Sequence, residues 1–129
     1  MFANSKAFSG FAVEDVEAAR RFYGETLGLA ATIVDERNHL MQLDLAGDTT
    51  VLVYGKPDHT PATYTILNFP VPDVDAAVDA LTAKGVDMLR YEGFEQDAKG
   101  IARGMGPDIA WFTDPAGNIL SVLSSQDIQ

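Results

Sequence analysis

The sequence contains no cysteine, which excludes disulfide staples, a thiolate nucleophile and any cysteine-ligated metal. Basic residues are few: 9 Lys and Arg stand against 19 Asp and Glu, a formal net charge of −10 at pH 7. A nucleic-acid partner requires a clustered basic face that displaces counterions, and the basic residues here are scattered, so no nucleic acid is expected. Long apolar runs are also missing. No stretch approaches the roughly 20 residues of a membrane span, and none follows Met1–Lys6 to make a signal peptide. These absences lead to the expectation of a soluble, cytoplasmic protein with no membrane partner.

What is present is enough for an ordinary core. A chain of 129 residues, 47% of them hydrophobic, buries roughly two thirds of its unfolded surface and needs no metal to stay folded. Its acidity keeps it soluble and by long-range attraction favours cationic small ligands over anionic ones.

The chain repeats itself. Residues 11–20 read Phe-Ala-Val-Glu-Asp-Val-Glu-Ala-Ala-Arg and residues 69–78 read Phe-Pro-Val-Pro-Asp-Val-Asp-Ala-Ala-Val, so six of ten positions match at an offset of 58. Two such periods cover 116 residues, which makes the pattern a duplication and not a solenoid. Each copy opens with an apolar run, then an Asp suited to cap a helix (Asp15, Asp73). Helical spacing follows: Val16, Ala19, Phe22, Tyr23 and Leu27 in the first copy, Val74, Ala77, Val78 and Leu81 in the second. Gly28 and Gly85 are placed to end the two helices.

Three strand-like runs are expected after each helix, at about 30–36, 39–45 and 50–56, then 87–92, 109–113 and 119–124. Asp114-Pro115-Ala116-Gly117-Asn118 is a strong turn sequence. The expected organisation is one domain over 1–129, with repeats at 1–56 and 63–129 joined by a linker at 57–62. Residues 93–108 carry four glycines and read as a long loop, functional or mobile. The run Gly100–Gly106 does not follow a strand and open a helix, so it is no dinucleotide fingerprint.

A twice-repeated βαβββ unit that opens with Val13, Asp15, Ala19, Phe22, Tyr23, Leu27 and Gly28 and closes with Asp114, Pro115, Gly117 and Asn118 resembles the vicinal oxygen chelate superfamily. That group holds glyoxalase I, extradiol dioxygenases and bleomycin-resistance proteins. The resemblance implies an α+β fold of two four-stranded mixed sheets curled around a cleft, helices outside, and a homodimer. It also implies where a metal would sit, since family metalloenzymes place His, Gln or Glu ligands on the first and last strand of each copy. Counting seven back from Asp15 and Asp73 gives Phe8 and Ile66; the fourth-strand position is Leu52 and the closing one, three past Asn118, is Ser121. A catalytic metal needs about three protein ligands, and three of these four side chains are hydrocarbon. No metal and no other cofactor is expected. His39 and His59 are far apart in sequence, and nothing places them together.

Strand side chains alternate faces. With Phe11, Val13, Phe69 and Val71 under the helices, Phe8, Gly10, Ile66 and Asn68 face the cleft, joined by Leu52, Tyr54, Ser121, Leu123 and Gln42. Trp111 belongs to the cleft or to the core. The candidate ligand-binding set is therefore Phe8, Gln42, Leu52, Tyr54, Ile66, Asn68, Trp111 and Ser121, an apolar cleft with a few hydrogen-bonding groups, the composition of a small-molecule pocket. Lys99 and Arg103 are placed to close over an anion or to lie solvated. The favoured function is a metal-free protein that binds an aromatic or cationic small molecule, as drug-sequestering resistance members do. Two alternatives stay open: an enzyme of the glyoxalase or dioxygenase type that uses Tyr54, Asp44 or a histidine as acid or base, and a ligand-free scaffold.

Overall fold

Asp15 and Asp73 each lie in extended backbone and turn a carboxylate onto the first free N–H groups of a helix. Asp15 Oδ1 accepts from the N–H of Glu17 (3.0 Å) and Ala18 (3.2 Å), and Asp73 Oδ1 from that of Ala76 (3.0 Å). Each cap is worth ~1 kcal/mol. These two helices organise a computed structural model that describes residues 1–127 and divides into two compact units, Met1–Thr60 and Pro61–Gln129.

The first unit runs β1 (Ser9–Val13), α1 (Val16–Arg21), a π-helical turn (Phe22–Thr26), β2 (Ala30–Asp35), β3 (Leu40–Leu45) and β4 (Thr49–Gly55). The sheet order is β1-β4-β3-β2, with β1 parallel to β4 and the other pairs antiparallel. Alternate residues of three strands, Val13, Met41, Leu43, Val51 and Val53, are buried together with Val16, Ala19 and Tyr23 of the helical segment. Tyr23 is fully buried, its ring 5.7 Å from Phe11 and 5.2 Å from Phe22. The helical stripe read from sequence is thus real, though it continues past Arg21 as a wider turn in which the Leu27 N–H reaches the Phe22 carbonyl.

The second unit runs β5 (Thr65–Val71), α2 (Val74–Ala83), β6 (Ile109–Thr113) and β7 (Ile119–Ser124), closing on a short 3-10 turn (Ser125–Asp127). Its sheet order is β5-β7-β6, with β5 parallel to β7. Val74, Val78 and Leu81 of α2 are buried with Ala110, Phe112, Leu120 and Val122. The two sheets are mixed and the class is α+β, but the second sheet has three strands where four were expected. The run 87–92 contributes only a bridge from Met88 to Phe112 and a hydrogen bond from the Leu89 N–H to the Trp111 carbonyl (2.8 Å). Beyond Leu89 the backbone is taken by a side chain: Gln96 Oε1 accepts from the Tyr91 N–H (2.8 Å), and Gln96 Nε2 donates to the carbonyls of Leu89 (2.9 Å) and Gly100 (2.7 Å). A ladder cannot continue where its N–H and C=O groups already have partners.

The long segment 93–108 is likewise tied down. Gln96 bridges Ala102, which in turn bridges Ile109 on the β6 edge, so the segment covers an edge that would otherwise offer free backbone groups. Ile101 and Ala102 are buried. Gly100 has φ +90°, and a Cβ there would lie 3.1 Å from that of Met88, so the tight return needs glycine. The Asp114–Asn118 turn is held by its own carboxylate: buried Asp114 accepts from the N–H groups of Ala116 and Asn118 (both 2.9 Å) and from Asn118 Nδ2 (3.0 Å).

Candidate functional site

In the second unit the cross-strand register aligns three of the candidate residues in one row. Asn68 on β5 is opposite Ser121 on β7, and Ser121 is opposite Trp111 on β6. Side chains directly across a sheet share a face, and this face is the one away from Phe112, Leu120 and α2. Trp111, which sequence left between cleft and core, therefore belongs with Asn68 and Ser121. Ser121 is fully buried at the centre of the row and donates its hydroxyl to Asn68 Oδ1 at 2.6 Å.

Two residues that sequence reasoning passed over join Trp111. Phe94 stacks on the indole, 5.5 Å between centroids and 17° between planes. Tyr91 meets both rings edge-on, at 5.3 Å from Trp111 and 6.0 Å from Phe94. Both geometries are those favoured by the aromatic quadrupole. Partial burial pushes the Tyr91 phenol above its ordinary pKa, so it is protonated at neutral pH. Phe94 remains 44% exposed, which leaves aromatic surface open to solvent. The signal for these two was the pair Tyr91 and Phe94 in an otherwise polar, glycine-rich stretch.

Ile66 does not extend the row. The β5–β7 pairing slips between Thr65 and Leu67, and Ile66 is the residue at the irregularity; simple alternation from Asn68 stops there. In the first unit Leu52 pairs with Gln42 and Gly10, and Tyr54 with Leu40 and Ala12, so Gln42, Leu52 and Tyr54 share the face away from the buried one. Gln42 Nε2 is hydrogen-bonded to Asp44 on that face (2.8 Å). Phe8 lies just before β1 and is 65% exposed. A cavity of about 910 Å³ in this unit lies elsewhere, beside Glu14, Glu17, Ile33, Glu36 and His39, and none of the four candidates lines it.

Lys99 and Arg103 do not wait for an anion. Lys99 pairs with Asp79 (3.0 Å) and Asp75 (3.7 Å), and Arg103 with Asp75 (3.0 Å), Asp97 (3.0 Å) and Asp108 (2.7 Å). The hydrogen bonds to Asp75 and Asp97 raise the guanidinium pKa further above its already high value. Both cations act as fasteners between α2 and the 97–108 segment.

The donor set does not fit a metal at the positions the fold suggests. Phe8, Leu52 and Ile66 offer hydrocarbon, and the Ser121 hydroxyl is committed to Asn68. Among the described residues no group of three or more His, Asp or Glu side chains converges to hold an ion elsewhere, nor is any helix long and apolar enough to cross a membrane.

Residues 7–122 match the model of the glyoxalase/bleomycin resistance protein/dioxygenase superfamily. The chain belongs to that superfamily. Solved structures agree with this glyoxalase-like assignment. TnmS3, an antibiotic binding protein from Streptomyces sp. CB03234, is 25% identical, with a TM-score of 0.67 over 94% of this chain and 97% of its own. A glyoxalase/bleomycin resistance protein from the same Streptomyces is 26% identical, with a TM-score of 0.61 over 92% of this chain and 100% of its own. A superfamily member from Sphaerobacter thermophilus DSM 20745 shares the fold at 23% identity and a TM-score of 0.66, over 92% and 97% of the two chains. No curated protein matches the sequence.

Proposed function

We propose that this glyoxalase-like protein is a metal-independent binder of a small, flat aromatic molecule. The observation that carries the reading is the Tyr91–Phe94–Trp111 cluster beside the Asn68–Ser121 pair, an apolar platform with polar groups at one end. Stacking on a preformed ring pair costs the protein little ordering entropy, which is how rigid sites gain affinity. The likeness to an antibiotic binding protein supports ligand capture over turnover, and the hydrocarbon side chains at the metal positions remove the donors that the family's metal chemistry requires. The acidic charge favours a neutral or cationic ligand.

A homodimer is part of the same reading. On the first unit Phe8 and Tyr54 stay 65% and 40% exposed, apolar surface that a second copy would cover. A cytoplasmic location is proposed on composition alone.

The deciding experiment is a thermal-shift and calorimetric screen of the purified protein against flat aromatic compounds, with and without EDTA and with added Ni²⁺, Zn²⁺ or Fe²⁺. A ligand that binds tightly raises the melting temperature by mass action. Stoichiometric, EDTA-insensitive binding supports the reading. Metal-dependent binding or turnover would overturn it in favour of an enzyme, and silence across the screen would favour a scaffold. Sedimentation velocity tests the dimer.

A further inference from the structure

We infer that Ser121 is a positioning residue that fixes which end of the Asn68 carboxamide meets the ligand, so that the site selects flat aromatics bearing a hydrogen-bond acceptor such as a ring carbonyl. This rests on the aromatic-platform reading and goes beyond it by naming the chemical feature that is read.

Ser121 is 0% exposed and its hydroxyl carries one hydrogen. Buried with Asn68 on one side and Trp111 on the other, that hydrogen needs an acceptor, and Asn68 Oδ1 supplies it at 2.6 Å. A primary amide holds its acceptor and its two donors at opposite ends of one planar group. With Oδ1 held by the buried hydroxyl, the amide faces away from Ser121 with its Nδ2 end. No protein acceptor among the described residues takes those hydrogens, and Asn68 is exposed. Adjacent strands lie ~4.8 Å apart, so Asn68 stands two strand spacings, ~10 Å, from Trp111 on the same face. That is the span of a fused tricyclic molecule. A ring system lying along the row from the Trp111 cluster brings a substituent on its far end to a donor and to no acceptor. A ligand carbonyl gains a hydrogen bond there, whereas a hydrocarbon edge leaves the Nδ2 hydrogens desolvated and unpaired, and the second effect discriminates more strongly.

The probes are 2-acetylanthracene and 2-ethylanthracene carrying the same neutral hydroxyethyl chain on the opposite terminal ring, closely matched in size and differing by one carbonyl oxygen at the end of the ring system. Titration calorimetry on the wild-type protein is expected to give about tenfold tighter binding of the ketone, the effect of one hydrogen bond gained or left unmade. Ser121→Ala should reduce that preference to about twofold, because the amide is then free to turn. Asn68→Asp, on an exposed position where folding is not at risk, keeps the acceptor for Ser121 and removes both donors, and should abolish or reverse the preference. A ketone preference that survives Asn68→Asp would overturn the inference. Equal wild-type affinities for the two probes would overturn it too while leaving the aromatic platform standing. Failure of both probes to bind would remove the platform reading together with it.

Discussion

The indole of Trp111 lies nearly parallel to the ring of Phe94, 17° between planes and 5.5 Å between centroids, although one residue sits on β6 and the other in a segment 17 positions earlier. Trp111 is the only tryptophan in the chain, so its emission reports directly on this contact. Phe94→Ala should shift the emission to longer wavelength as the indole meets water. Because Phe94 is partly exposed and an aromatic pair contributes ~0.5–1.5 kcal/mol beyond burial, affinity for a flat aromatic probe should fall by roughly threefold to tenfold. Unchanged emission and unchanged affinity would mean that the ring contact does not exist in solution.

Gln96 holds the segment that presents Tyr91 and Phe94. Its carboxamide meets one N–H and two carbonyls, those of Tyr91, Leu89 and Gly100. Gln96→Ala strips three partly buried backbone groups of their partner and should cost about 1–3 kcal/mol, with a matching change in Trp111 emission. Gln96→Glu is the sharper test. A carboxylate still accepts from Tyr91 N–H but faces two carbonyl oxygens with no hydrogen to offer, so at neutral pH it should be no more stable than the alanine variant. Urea unfolding at pH 7 measures both, and a glutamate variant as stable as wild type would refute the bonding pattern.

Why these residues escaped the sequence reading follows from how each signal arises. The duplication was legible because Asp15 and Asp73 perform the same local task, capping a helix within three residues, and alternating faces followed from strand parity alone. That parity put Asn68 and Ser121 on one face, and it carries no sign of the register slip between Thr65 and Leu67. The strand expected at 87–92 has suitable residues, but Gln96 competes for its backbone from seven positions away, and no local propensity reports on that. Tyr91 and Phe94 gain meaning only through contact with Trp111, and a periodic pattern carries no trace of a contact made by an irregular segment. Lys99 and Arg103 were readable as cations, but their carboxylate partners Asp75 and Asp79 lie on α2, 20 or more positions earlier.

Asp114 offers a contrast between two uses of one residue type. Asp15 is exposed and caps a helix, whereas Asp114 is 3% exposed and gathers two N–H groups and the Asn118 amide. Asp15→Ala should cost ~1 kcal/mol. Asp114→Ala leaves several buried donors unpaired around a lost charge-assisted acceptor and should cost about 2–4 kcal/mol. Equilibrium denaturation of the two variants ranks them, and equal losses would show that burial adds nothing to the turn.

Acid should loosen the 97–108 segment before it unfolds the rest, and Asp97 is the group responsible. Desolvation pushes its pKa up, but the N–H of Ile101, the Arg103 guanidinium and the N–H of Lys99 together outweigh that and hold it below the ordinary carboxylate value. A carboxylate with a folded-state pKa below its unfolded value of ~3.9 contributes stability that is full above that value. The contribution fades as the pH falls through the folded pKa. Asp97→Asn keeps the Oδ1 acceptor for the two N–H groups and replaces the charged Oδ2 that accepts from Arg103 with an amide donor. The stability gap between wild type and this variant should therefore be full at pH 7 and shrink as the pH falls below the unfolded value of about 3.9. Because the ion pairs of Arg103 are more than one third exposed, the gap at pH 7 should also shrink in 1 M salt, where screening acts over ~3 Å. Urea titrations of both proteins across this range decide the matter, and a gap that stays constant from pH 7 to pH 3 would show that Asp97 carries no depressed pKa.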